Sequence, residues 1–261
     1  MRRCALACAA VAAVLGAATA PACAERLVIS ISRHQVMVTS SFTGTSIVLF
    51  GTVEPDTPAA RRRSATYDLA VTITGPRQTV VTRRKERVLG IWANVASRTF
   101  VNAPSYLAVL ANRPIEPIAN AETLRRLQVG LDNIVLPQEI GGDIADVVRH
   151  DPFRANYIRI RKEQALYLER PNGVTFLTPT VFRAEIPLPA IAPVGNYDVD
   201  VKLFGDGALI ARANSAFEII KVGFEQFVAS AARDHGLLYG LATVMMALLT
   251  GWFASVVFRR D

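Results

Sequence analysis

Apolar residues recur at every second position through much of the chain, the signature of half-buried β-strands. RLVISIS (26–32), QVMVTS (35–40) and TSIVLFGTV (45–53) read as strands, and EPDTPAARRRS (54–64) reads as a loop by its prolines and charges. YDLAVTITG has the clearest alternation. Tyr67, Leu69, Val71 and Ile73 fall on one side, and Asp68, Thr72 and Thr74 on the other. QTVVTRR (78–84) and RVLGIWANV (87–95) continue the pattern, with Trp92 expected in the core, and TFVNAPSYLAVLAN (99–112) closes the region.

The pattern then changes. NAETLRRLQVG (120–130) has Asn120 as a cap, a short helical run and Gly130 behind it. GGDIADVVRHD (141–151) reads as another short helix, and FRANYIRIRKEQALYLE (153–169), with Pro152 at its start, as a longer one. Strands return with GVTFLT (173–178) and VFRAEIPL (181–188). In the next strand Tyr197, Val199, Val201 and Leu203 alternate with Asp198, Asp200 and Lys202, and Gly205-Asp206-Gly207 makes a hairpin turn. Such an ending fits an Ig-like β-sandwich. The expected fold is mainly β: one sandwich over 25–221, with a helical insertion at about 104–172. Two small domains divided near residue 140 is the alternative.

The two ends have other periods. Gly236–Phe258 contains 23 residues and no charge, and is followed by Arg259, Arg260 and Asp261. As a helix it spans roughly 34 Å, enough to cross a ~30 Å hydrocarbon core. Residues 1–24 have a basic start at Arg2 and Arg3, an alanine-rich apolar stretch, and Ala22-Cys23-Ala24 as a small-x-small cleavage site, the pattern of a secretory signal peptide. With Arg259 and Arg260 held inside as a cytoplasmic tail (259–261), the domain faces outward on a single-pass anchor at 236–258. Between domain and anchor, 222–235 places Phe224, Phe227, Val228 and Ala231 on one helical face, as a juxtamembrane amphipathic helix would.

Cys4, Cys8 and Cys23 all precede the expected cut, so the mature chain is read as having no disulfide, no thiolate nucleophile and no cysteine-bound zinc. The formal charge of +7 falls to +5 without Arg2 and Arg3. Nucleic acid is a poor partner outside the cytoplasm. The cluster Arg83, Arg84, Lys85 and Arg87 is a candidate site for an anionic solute or lipid headgroup.

The chain carries no G-x-S-x-G, H-E-x-x-H, P-loop or G-x-G-x-x-G motif, and the expectation is a non-enzyme with no cofactor and no metal. Asp146 and His150, at i, i+4 on the expected helix with Asp143 and Asp151 nearby, read as a surface ion pair rather than a metal site. The sharper signal lies in the span. Gly236, Gly240, Thr243, Ala247, Gly251 and Ser255 form a stripe roughly 120° wide. Lipid does not require small residues on one face. Close packing against another helix does, whether in a self-dimer or with another integral membrane protein.

FTGTSIVLFG, VFRAEIPLP, PVGNYDVDVKLF and the ending GFEQFV…LLYGL…GWFASVVFRR carry a resemblance to an uncharacterised alphaproteobacterial transmembrane protein family of about this length. The resemblance implies a Gram-negative inner-membrane protein with a periplasmic domain and a cytoplasmic C-terminus. It also implies an accessory or interaction role beside a multi-pass membrane protein, such as a sulfite-exporter-type permease. It supplies no catalytic residue.

Overall fold

The computed structural model describes residues 25–55, 67–140, 143–146, 151–223 and 232–257. Their strands, in chain order, are β1 (Arg26–Ile31), β2 (Gln35–Val38), β3 (Gly44–Glu54), β4 (Asp68–Thr74), β5 (Arg77–Val88), β6 (Ile91–Pro104), β7 (Leu107–Ala111), β8 (Pro137–Ile140), β9 (Asp143–Asp146), β10 (Tyr167–Arg170), β11 (Val174–Phe176), β12 (Val181–Pro189), β13 (Gly195–Gly205) and β14 (Ala208–Lys221). The helices are α1 (Ala121–Arg126), α2 (Pro152–Glu163) and α3 (Gly236–Val257).

Two sheets form the sandwich. The first has the order β1-β3-β12-β11 and the second β10-β7-β4-β13-β14-β2. The second is antiparallel at its centre, with a parallel strand at each edge: β10 against β7, and β2 against β14. Alternation puts Ile47 and Leu49 of β3 and Phe182, Ala184 and Ile186 of β12 inside, against Leu69, Val71 and Ile73 of β4 and Val199, Val201 and Leu203 of β13. The buried apolar residues form one contiguous cluster running from Ile31 to Ile219. Tyr197 marks the corner where the chain crosses from β12 to β13. It is fully buried, its ring stacks on Phe217 at 4.9 Å, and its hydroxyl donates to the Pro193 carbonyl at 2.6 Å. The hydroxyl thus ties the start of β13 back to the backbone four residues upstream. The Tyr106 hydroxyl donates to the Pro187 carbonyl and ties one sheet to the other.

Residues between β7 and β10 cover the outer face of the second sheet, so β7 is buried at every position. Asn120 caps α1 by accepting from the Thr123 amide at 2.7 Å. Asp151 caps α2 by accepting from the Arg154 amide at 3.2 Å, with Pro152 in the first turn. Tyr157 of α2 stacks on Phe100 at 4.7 Å and meets Tyr167 edge-on at 5.8 Å.

The stretch expected as a helical insertion, about 104–172, holds four described strands: β7 is a central strand of the second sheet, paired with β4, and β8, β9 and β10 also lie within it. Residues 143–146 are strand β9, paired with β8, which in turn pairs with β6 through Thr99–Glu139 and Phe100–Gln138. The ladder gives this stretch backbone partners that the ends of a short helix would lack, and Gly141-Gly142 in the sequence is a turn signal ahead of it. The remainder of that expected helix, 147–150, lies outside the described residues. The longer helix stops at Glu163. Ala165 takes φ 55°, which no helix accommodates, and Tyr167–Arg170 is captured by β7 as the parallel edge. The amphipathic stretch expected at 222–235 falls largely on 224–231, outside the described residues.

β5 and β6 prolong two central strands. Gly75 N–H donates to the Tyr106 carbonyl at 2.8 Å and Ser105 N–H to the Pro76 carbonyl at 2.9 Å, so the β4–β7 ladder runs on into the β5–β6 ladder. The corner is tight, because a Cβ on Gly75 would lie 2.9 Å from Tyr106 Cβ. Phe100 is the last fully buried residue of the hairpin. From its partner Val80 to the apex at Leu89 is nine residues, roughly 30 Å of strand projecting from the domain. Trp92, expected in the core, sits near that apex and is 69% exposed. Residues 91–95 are all exposed, with nothing in the described chain over either face.

Candidate functional site

Three surfaces carry chemistry. The first is α3. It is long and apolar enough to cross a membrane by length and composition, and none of its window is buried against the rest of the chain. Its two threonine hydroxyls are satisfied internally, as an apolar medium demands. Thr243 Oγ1 donates to the Gly240 carbonyl at 2.8 Å, and Thr250 Oγ1 to the Met246 carbonyl at 2.7 Å. Gly236, Gly240, Thr243, Ala247, Gly251 and Ser255 all lie on this helix. A shallow groove runs past Thr243, Ala247 and Gly251. Beyond the helix's own adjoining backbone, a Cβ on Gly236, Gly240 or Gly251 would meet no atom of the described residues within 4 Å, so nothing there requires their small size.

The second is the β5–β6 hairpin, which carries Arg83, Arg84, Lys85 and Arg87. Their side chains are exposed and spread along a rod rather than gathered round a cavity. Arg84 Nε pairs with Glu86 Oε1 at 2.8 Å, and Arg87 Nε donates to the Gly90 carbonyl at 3.3 Å. The two-residue turn holds Leu89 at φ 49° and Gly90 at φ 86°, the positive values a type I′ turn requires. Glycine adopts them freely. For leucine the left-handed region costs about 1–2 kcal/mol.

The third went unread in the sequence. A cleft of about 430 Å³ lies between the outer face of β4, β13 and β14 and the covering segment around Leu127 and Ile134. Asp200 is its organising group. Arg212 grips it through Nε to Oδ1 at 2.7 Å and Nη2 to Oδ2 at 3.0 Å, a bidentate fork, while Lys202 Nζ contacts Oδ2. Lys202 is only 2% exposed, and burial lowers its pKa against the opposing pull of Asp200. Hydrogen bonding to Asp200 raises that of Arg212. Arg77 and Arg126 line the mouth, and Thr72 Oγ1 is buried with no protein partner. The set of four cations against Asp198 and Asp200 suits a small polar solute with a negative group. Asp200 and Lys202 stand on the polar side of their strand, and alternation alone makes that side look solvent-facing.

Among the described residues no cluster of histidine, cysteine or carboxylate has the arrangement of a metal site. Asp143 and Asp146 stand on a strand, so the i, i+4 helical spacing to His150 does not apply, and His150 itself lies outside the described residues.

A comparison with curated proteins gives no match. A family model described as "Putative transmembrane protein (Alph_Pro_TM)" matches residues 26–260, which takes in every strand, the covering helices and the apolar α3. The chain therefore belongs to this alphaproteobacterial transmembrane protein family.

Proposed function

We propose that the protein is a non-enzymatic accessory subunit of the inner membrane. Its β-sandwich stands in the periplasm, and α3 packs along a multi-pass membrane protein, with a sulfite-exporter-type permease as the candidate. The supporting observation is the small-residue face of α3. Three of its glycines create room that no described part of this chain fills, and an adjoining helix is what such room accommodates. The apolar length of α3 and the family match support the anchored placement.

The test uses the full chain, extracted from native membranes in mild detergent. Substituting Gly240, Ala247 and Gly251 together by leucine fills the groove without touching the sandwich. The wild-type chain should carry a permease at fixed stoichiometry, and the triple variant should lose it while the sandwich keeps its thermal transition. Association that survives the triple change overturns the proposal.

A further inference from the structure

We infer that the apex of the β5–β6 hairpin is a second membrane contact, one that inserts into the interface of a bilayer containing anionic phospholipid. This rests on the membrane-anchored reading, and it concerns lipid rather than a protein partner.

Three observations converge on one element. The first is order along the rod. The outermost residue is Leu89, 98% exposed, with Val88 and Ile91 beside it. Trp92 and its cross-strand partner Arg87 come one step below, and Lys85, Arg84 and Arg83 follow toward the domain. A bilayer entered from water is layered in the reverse sense: anionic headgroups, then the level where tryptophan prefers to sit, then hydrocarbon. The apolar tip thus meets hydrocarbon, the Trp92–Arg87 pair meets the interface, and the remaining cations meet the headgroups. The second is the apex itself. A leucine in the left-handed position of a type I′ turn is unfavourable for the isolated turn, and being almost wholly exposed it gains no packing within the chain. The third is charge. Residues 83–87 hold four cations and one carboxylate, and Arg83 and Lys85 face no acidic partner among the described residues. Three consecutive cations put charge on both faces of a strand. A pocket-bound anion could reach only part of such an array, whereas a headgroup layer surrounds the rod and reaches all of it. Since the chain is tethered by α3, the bilayer is present at high effective concentration, and weak interfacial affinity is enough.

The test reads Trp92 directly. The chain has two tryptophans, and the other, Trp252, lies in α3. The full-length Trp252→Phe variant is reconstituted into vesicles of phosphatidylcholine alone or with phosphatidylglycerol, with no other protein present. With phosphatidylglycerol, Trp92 emission should shift to the blue, be quenched by acyl chains brominated near the headgroup, and be shielded from acrylamide. In phosphatidylcholine alone it should stay open to acrylamide. Glutamine at Arg83, Arg84, Lys85 and Arg87 together should abolish the difference. Leu89→Asn, which suits the turn better, should weaken the quenching while leaving the fold intact. Equal acrylamide access in both vesicles overturns the inference. So does shielding that is indifferent to Leu89→Asn and to the four glutamines. Because no protein partner is present, neither result bears on the α3 proposal.

Discussion

The β4–β7 pair and the β5–β6 hairpin are two halves of one continuous ribbon, and they have opposite fates. In the proximal half β7 is buried at every position and β4 at all but its last. In the distal half exposure is nearly complete from Arg83 to Val95. Backbone pairing persists across the boundary, so hydrogen bonding does not separate them. What differs is cover: β4 and β7 lie between the first sheet and the inserted segment, while the outer hairpin has neither. A ladder can hold a shape on its own, but apolar side chains contribute to stability only where something lies over them.

The widest test of this contrast is a pair of truncations. Leu69→Ala on β4 should cost about 2–5 kcal/mol, the usual range for emptying a packed core site, whereas Ile91→Ala near the apex should fall within about 0.5 kcal/mol of wild type. Denaturation of the full chain in detergent, followed by near-ultraviolet tyrosine dichroism, reads both. A large cost at Ile91 would mean that the hairpin is covered after all.

Alkaline pH probes the buried half alone. Burial raises the pKa of Tyr106, Tyr167 and Tyr197 well above the ordinary tyrosine value. Unfolding lets each ionise near pH 10 while the folded state still holds its proton. The stability they support is therefore complete below pH 10 and falls above it by about 1.4 kcal/mol per pH unit per tyrosine. Phenylalanine at Tyr106 should lessen that slope by one tyrosine's share. An unchanged slope would show that this hydroxyl is not sequestered.

The smallest effect has the opposite sign. Leu89→Asn should stabilise the isolated chain by about 1 kcal/mol or less, because asparagine tolerates the left-handed region and leucine does not. Measured beside the lipid experiment, it separates what the apex does for the fold from what it does for contact. Destabilisation in lipid-free detergent would mean that Leu89 packs on something.

Alternation made most of the sandwich legible, including the β13–β14 hairpin with its turn at Asp206 and Gly207. Its errors share one physical cause. Period two tells which side of a strand a residue occupies, but not whether that side is covered. Trp92, a large aromatic within a strand-like run, is expected in the core, and it is exposed. Lys202 keeps the polar phase, and it is buried beneath residues far away in sequence. For the hairpin the warning was present. Arg83-Arg84-Lys85 charges both faces, which rules out a buried side over that stretch. For Lys202 no local signal existed, since its cover comes from the segment around Leu127 and Ile134. Over 143–146 the expected helix gives way to a strand, because pairing with β8, itself docked on β6, is a gain that a helical pattern cannot register. The face of α3 could be drawn from spacing alone, since a regular helix needs no tertiary context to place its residues.

The parallel pairing of β2 with β14 has a mechanical meaning. β14 is the strand from which the chain departs toward the membrane, and its last residues, Glu218–Lys221, are flanked on one side by β13 through Ile219 and on the other by β2. A pull along the axis of β14 crosses its ladder bonds, which lie perpendicular to the strand. Such a load is shared by many bonds in shear instead of parting them one at a time from an end, and β2 extends that hold over Ile220 and Lys221, beyond the reach of β13.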